Sequence, residues 1–183
     1  GLSQLISTQL EISKVGKLKE LAAKAEVKAL QAQINPHFLF NALNTIIALL
    51  RINPDNAREL IVSLSSYLRY NMEETSTFVD ISKELQQVKS YVEIEKARFG
   101  DKLKVTYDID ESIHVKIPSL TIQPIVENSI KHGILKGSGS GNVRICVRRH
   151  NSSEVKVVIE DDGTGIPQAI IDRIYSGAVC ENK

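Results

Sequence analysis

Leu30-Gln31-Ala32-Gln33-Ile34-Asn35-Pro36-His37-Phe38-Leu39-Phe40-Asn41-Ala42-Leu43-Asn44 is mostly apolar and helical in pattern, yet it carries a histidine and three asparagines. Leu39, Leu43, Ile46 and Leu50 follow 4-3-4 spacing, which puts them on one helix face. Gln33, His37, Asn41 and Asn44 follow 4-4-3 spacing and fall roughly opposite. Pro36 lacks a backbone N–H and crowds the preceding turn, which predicts a kink beside His37. Taken alone, a core helix with one satisfied histidine accounts for the stretch. The rest of the chain decides otherwise.

The 183 residues suffice for one large domain or two modest ones with a buried core. A net charge of +1 gives no electrostatic footprint for nucleic acid, so no nucleic-acid partner is expected. Cys146 and Cys180 lie far apart without metal-ligand spacing, which suits a reducing compartment rather than a disulfide scaffold. The apolar run Ile46-Ile47-Ala48-Leu49-Leu50 is far too short to span a bilayer, and the start has no leader pattern. The expectation is a cytoplasmic fragment.

Residues 1–33 are rich in Leu, Ala, Lys, Glu and Gln; Leu5 and Ile12 lie a heptad apart, and Leu18, Leu21 and Ala25 continue a 3-4 pattern. That predicts a long signalling helix or parallel coiled coil running on through His37 to about Arg51. Asn53-Pro54-Asp55 has helix-start chemistry, and Ala57, Leu60, Ile61, Leu64, Tyr67, Leu68 and Asn71 form the next stripe. A helical hairpin this apolar needs a partner, and pairing into a dimeric four-helix bundle supplies one. A connecting helix is expected from about Ser82 to Phe99, with Gly100 as its stop.

Beyond Asp101 the period changes to two. Leu103, Val105, Tyr107 and Ile109 alternate with polar residues, and so do Ile113, Val115 and Ile117 up to Pro118. A helix is expected from about Leu120 to Ile134, followed by a Gly/Ser loop and a hairpin of Val143, Ile145, Val147 against Val155, Val157, Ile159. The predicted fold class is α+β: a long helical hairpin followed by a two-layer α/β sandwich. The boundaries are 1–33 for the signalling helix, 34–80 for the hairpin, 81–100 for the connector and 101–183 for the α/β half.

Two downstream segments carry polar loads. In Gln123-Pro124-Ile125-Val126-Glu127-Asn128-Ser129-Ile130-Lys131-His132-Gly133, residues Asn128, Lys131 and His132 share one helix side while Ile122, Ile125, Val126 and Ile130 are expected to be buried. An amide oxygen suits Mg²⁺, and a lysine or imidazole beside it can meet phosphate oxygens. Asp161-Asp162-Gly163-Thr164-Gly165 leaves a strand, where a buried carboxylate must accept hydrogen bonds and glycines allow close approach or positive φ. Neither segment is a Walker loop or a dinucleotide fingerprint.

In this order, the His37 stretch, Val126–Gly133 and Asp161–Gly165 resemble the sensor histidine kinases of the LytS type, as does Tyr91-Val92-Glu93-Ile94-Glu95-Lys96-Ala97-Arg98-Phe99-Gly100. The resemblance covers residues 30 to 175. It implies that His37 is the phosphoacceptor on a dimeric hairpin, and that the second half is an ATP-binding domain shared with gyrase-like and Hsp90-like ATPases. Asn128 then matches the Mg²⁺-binding asparagine, with Lys131 and His132 near the phosphates. Asp161 matches the aspartate that accepts from the adenine amino group, with Gly163 and Gly165 making room for the nucleotide. The implied cofactors are ATP and Mg²⁺. The implied partners are a second copy of the chain, a response-regulator receiver domain and an upstream, membrane-embedded sensor.

A neutral imidazole offers a lone pair for in-line attack on a γ-phosphoryl group. Phe38 stands where many histidine kinases have an acidic residue after the phosphoacceptor, so the base is unassigned; Glu127 and Asn41 are the candidates, and Asn41 also suits a phosphatase role. The family's second glycine-rich segment, which closes the ATP lid, does not occur up to Lys183. The alternative reading is a non-catalytic or phosphatase-only dimer module that binds a response regulator. A chaperone-like or topoisomerase-like ATPase is disfavoured, since it has no use for His37.

Overall fold

The computed structural model describes residues 35–73, 76–135 and 140–175; the helix expected over 1–33 and the tail from 176 lie outside them. Helix α1 spans Pro36–Ile52. Asn35 is extended, and its Oδ1 accepts from the backbone N–H groups of His37 (3.1 Å) and Phe38 (3.4 Å). Pro36 therefore fills the first helical position, where a missing N–H costs nothing. The expected continuous, kinked helix is corrected: an asparagine cap followed by proline starts a new helix instead. Asn35→Ala should cost about 1 kcal/mol, read as a lower midpoint in urea unfolding.

The buried side of α1 is Phe38, Ala42 and Ile46, with Leu39 and Leu49 half-buried. Of the Leu39-Leu43-Ile46-Leu50 face, Ile46 is buried and Leu39 half-buried within the chain, while Leu43 and Leu50 are exposed. The aromatic ring of Phe38 takes the inner position and turns the helix about its axis. Asn53 Oδ1 accepts from Asn56 N–H (3.1 Å) and Pro54 opens α2, Pro54–Glu73, as the sequence predicts. Ala57, Leu60, Leu64, Tyr67 and Asn71 are its buried residues; Ile61 faces out.

Strand β1 (Phe78–Asp80) leads into α3 (Ile81–Phe99), capped by Asp80 Oδ1 accepting from Ser82 N–H at 2.9 Å. Helix α3 packs against both α1 and α2, so the hairpin finds its first partner within its own chain. Gly100 ends α3 at φ +58, where a Cβ would be strained.

Strands β2 (Leu103–Ile109), β4 (Gly141–Arg149) and β5 (Val155–Asp161) form one sheet in the order β2-β4-β5, with β2 parallel to β4 and β4 antiparallel to β5. Strand β3 is only Lys116–Pro118 and pairs antiparallel with β1, so residues 78–80 are tied to the second half of the chain. Helix α4 (Gln123–Leu135) packs on β4 and β5, α3 packs on β2, and α5 spans Gln168–Tyr175. Leu103, Val105, Val143, Ile145 and Val147 are buried under these helices. The result is α+β: three packed helices, then a sheet with helices on one face.

Candidate functional site

His37 sits at the second position of α1 with its side chain exposed. One turn on, Asn41 Nδ2 lies 3.2 Å from Nδ1 and 3.3 Å from Nε2 of its ring. Asn41 therefore sits nearly equidistant from both ring nitrogens, while its own carbonyl accepts from Thr45 Oγ1 (2.9 Å). The polar side of α1 is real; its counterpart is the Phe38 side rather than Leu43 and Leu50.

Phe38 is 4% exposed and lies 4.8 Å from the Tyr67 ring and 5.1 Å from the Tyr91 ring, centroid to centroid. Such tilted aromatic pairs add stability beyond simple burial. Burial, then the neighbouring Glu127 carboxylate, pushes the Tyr67 hydroxyl up, so it keeps its proton. Gln123 Nε2 donates to Tyr67 Oη (3.2 Å) and to Glu127 Oε1 (2.8 Å), and Lys131 Nζ donates to Glu127 Oε2 (3.0 Å). A chain of contacts thus runs from Phe38 through Tyr67 to α4, with the Tyr91 ring packed beside both. Both carboxylate oxygens of Glu127 are engaged by α4's own side chains, and Asn41 is the side chain set against His37 among the described residues.

On α4, Asn128 is exposed and Lys131 half-buried; the backbone of His132 continues the helix, but its side chain lies outside the described residues. Ile122, Val126 and Ile130 are buried, whereas Ile125 is 50% exposed, which corrects the expected apolar set. The register Val105–Val143–Asp161 places Asp161 on the sheet face that carries the helices, the same face as Val143 and Ile145. Asp161 and α4 therefore lie on one side of the sheet. Asp161 is exposed rather than buried, and its Oδ1 accepts from Gly163 N–H at 3.1 Å. Asp162 points to the opposite face and accepts from Asn142 N–H at 2.7 Å. Gly165 adopts φ +68, a conformation that disfavours any side chain there. Gly163 is half-buried in the turn between them.

Comparison with known proteins bears on this layout. Residues 25–103 match the histidine kinase family profile, and residues 115–181 match the profile of histidine kinase-, DNA gyrase B- and HSP90-like ATPases. The sensor histidine kinase YpdA of Escherichia coli strain K12 is 54% identical over 184 residues, covering 100% of this chain and 32% of that protein. Along its whole length the chain is similar to a part of LytS-type sensor histidine kinases. The sensor protein LytS of Staphylococcus haemolyticus is 42% identical over 91% of this chain and 29% of its own length. The sensor histidine kinase BtsS of Escherichia coli strain K12 is 40% identical over 88% of this chain and 29% of that protein. The chain spans about a third of the length of the curated relatives it matches.

One buried group escaped the sequence reading. Glu84 on α3 is 0% exposed and accepts from Leu120 N–H (2.7 Å), Thr121 N–H (3.2 Å), Ile122 N–H (3.1 Å) and the Tyr70 hydroxyl. Its signal was present: Ile81, Glu84, Leu85 and Val88 lie on one face, and a carboxylate on an apolar stripe must be hydrogen-bonded. Leu120, just before α4, has φ +58, a backbone state that costs roughly 1 kcal/mol or more for a side-chain-bearing residue.

Proposed function

We propose that this chain is the catalytic portion of an ATP-dependent protein-histidine kinase of a two-component system, with His37 as phosphoacceptor. The observation that carries the reading is an exposed imidazole at the start of α1, in one chain with a sheet that sets Asp161 and α4 on the same face. We put the boundary between hairpin and nucleotide-binding half near Phe78, a reading that the pairing of β1 with β3 supports.

The residues suit a purine nucleotide. The Oδ2 of Asp161 has no partner among the described residues, so it is available to an exocyclic amino group, and Gly163 and Gly165 admit a flat ring. Asn128 and Lys131, at i and i+3 of α4, would meet the phosphates, and the sequence sets His132 next to them at i+4. No three His, Cys, Asp or Glu side chains converge among the described residues, so Mg²⁺ would be held by the Asn128 oxygen, phosphate oxygens and water. When bound, Mg²⁺ neutralises phosphate charge.

A ring nitrogen of His37 attacks the γ-phosphorus; the N–P bond forms as the bond to the β,γ-bridging oxygen breaks, and ADP leaves with that electron pair. The proton on the other ring nitrogen passes to solvent, since no carboxylate among the described residues is set against the ring; Asn41 orients the imidazole in either tautomer. A phosphoryl group at the second helical position also sits at the positive end of the α1 dipole. Transfer to an aspartate of a receiver domain follows, and Asn41 is placed to hold a water in the reverse, phosphatase sense. Incubation of the full-length protein with γ-labelled ATP and Mg²⁺ tests this. Base-stable, acid-labile label is expected; saturable ATP binding without label would favour the non-catalytic dimer module.

The working unit is a homodimer. Phe40 (68% exposed), Leu43, Ile47 (62%) and Leu50 follow 3-4-3 spacing on the outer side of α1, a heptad seam left over after packing on α2 and α3. Ile47→Asp puts an unpaired charge in that seam and should shift the sedimentation mass from dimer to monomer. No helix among the described residues is long and apolar enough to cross a membrane. Because ATP is cytoplasmic, we place the chain on that side of a membrane sensor.

A further inference from the structure

We propose that Glu84 is a positioning residue for phosphoryl transfer: it holds the Leu120–Ile122 turn in its strained form and thereby aims α4, with Asn128 and Lys131, at the nucleotide. This rests on the reading of α4 as the nucleotide helix. Three successive backbone N–H groups converge on the two oxygens of one fully buried carboxylate, an arrangement that needs an anion at its centre. The turn contains Leu120 at φ +58 and ends where α4 begins, with Ile125 and Val126 N–H already bonded to Ile122 C=O (3.2 Å each). The first turn of α4 therefore inherits its direction from the segment that Glu84 grips. The Tyr70 hydroxyl donates to the same carboxylate from α2, so the grip also depends on how the His37 hairpin is seated.

Glu84→Gln keeps the size of the side chain but turns an N–H₂ group against N–H donors. In the full-length protein, amide exchange at residues 120–122 should accelerate at least about tenfold relative to strand β2, which keeps its protection. ATP affinity should fall about tenfold, the loss expected when one charged hydrogen-bonding anchor goes. Adding Leu120→Gly to Glu84→Gln lets the turn take positive φ without the carboxylate, and should recover at least threefold of the lost affinity. A merely structural Glu84 would lose protection everywhere in parallel and would gain nothing from the glycine. Unchanged exchange at 120–122, exchange faster throughout the protein, unchanged ATP affinity or no recovery with the glycine would each overturn the proposal. If the parent protein binds no ATP, the kinase reading fails, while the exchange measurement still reports whether Glu84 holds the turn.

Discussion

Replacing Asp161 by asparagine is expected to weaken ATP binding by roughly tenfold to a hundredfold, while leaving the fold intact. The side chain is exposed and its one described partner is the N–H of Gly163, which an asparagine oxygen can still receive. Little stability is therefore at stake. What changes is the outward oxygen: in the variant it becomes an amide N–H₂ facing a donor, or the Gly163 bond is given up to avoid that clash. A hydrogen bond to a charged group is worth about 1.5–3 kcal/mol, which sets the range given. Equilibrium binding with ATP and, in parallel, a GTP control measures it. Selective loss for ATP is the expected result, because GTP carries a carbonyl where adenine carries its amino group. Equal binding of parent and variant would remove Asp161 from the adenine contact.

Phe38→Ala should be the most damaging single change to the hairpin. Its ring is nearly sealed from solvent between Tyr67 and Tyr91, and truncating such a side chain costs about 3–5 kcal/mol. Domains of this kind are stable by only about 5–15 kcal/mol, so a large share of the margin is lost. The effect reaches past stability. Tyr67 is the shared neighbour of Phe38 and of the Gln123–Glu127–Lys131 chain on α4, so the cavity loosens the joint between α1 and α4. Phe38→Leu keeps most of the apolar volume. It should regain most of the stability by urea unfolding, yet it cannot restore the ring contacts with Tyr67 and Tyr91.

The position of Phe38 also explains what the sequence concealed. By periodicity, Leu39, Leu43, Ile46 and Leu50 make as good a buried edge as Phe38, Ala42 and Ile46, and only the partner surface chooses between them. That surface is built by Tyr67 and Tyr91, which are 29 and 53 residues away in sequence. Hence periodicity alone could not say which edge packs within the chain, while the helix itself was legible. Pro36 was ambiguous for a related reason. A proline inside a helix kinks it and a proline at the first position starts one, and the side chain of Asn35 decided for the start. Strands β2 and β4 were readable because they alternate with period two, and β4 and β5 form the expected antiparallel hairpin; the strand expected over Ile113–Ile117 shrinks to Lys116–Pro118.

The candidate site divides along the same line. Asp161, Gly165, Asn128 and His37 were picked out from local pattern, and each lies in the element expected for it. The connections between elements were not legible. Glu84 with the amides of residues 120–122, and Gln123 with Tyr67, are tertiary pairings 36 to 56 residues apart in sequence. The pairing of Glu127 with Gln123 and Lys131 likewise appears only once the side chains are placed, and it sets that carboxylate to work on α4 itself.

The most direct measurement of the central claim is the chemical identity of the phosphorylated residue. After incubation with ATP and Mg²⁺, ³¹P NMR and peptide mapping at alkaline pH should find a phosphorus–nitrogen bond on the peptide carrying His37, and none in His37→Gln. Phosphorus bonded to His114 or His150 or to a hydroxyl oxygen, or label that persists undiminished in His37→Gln, would contradict the account.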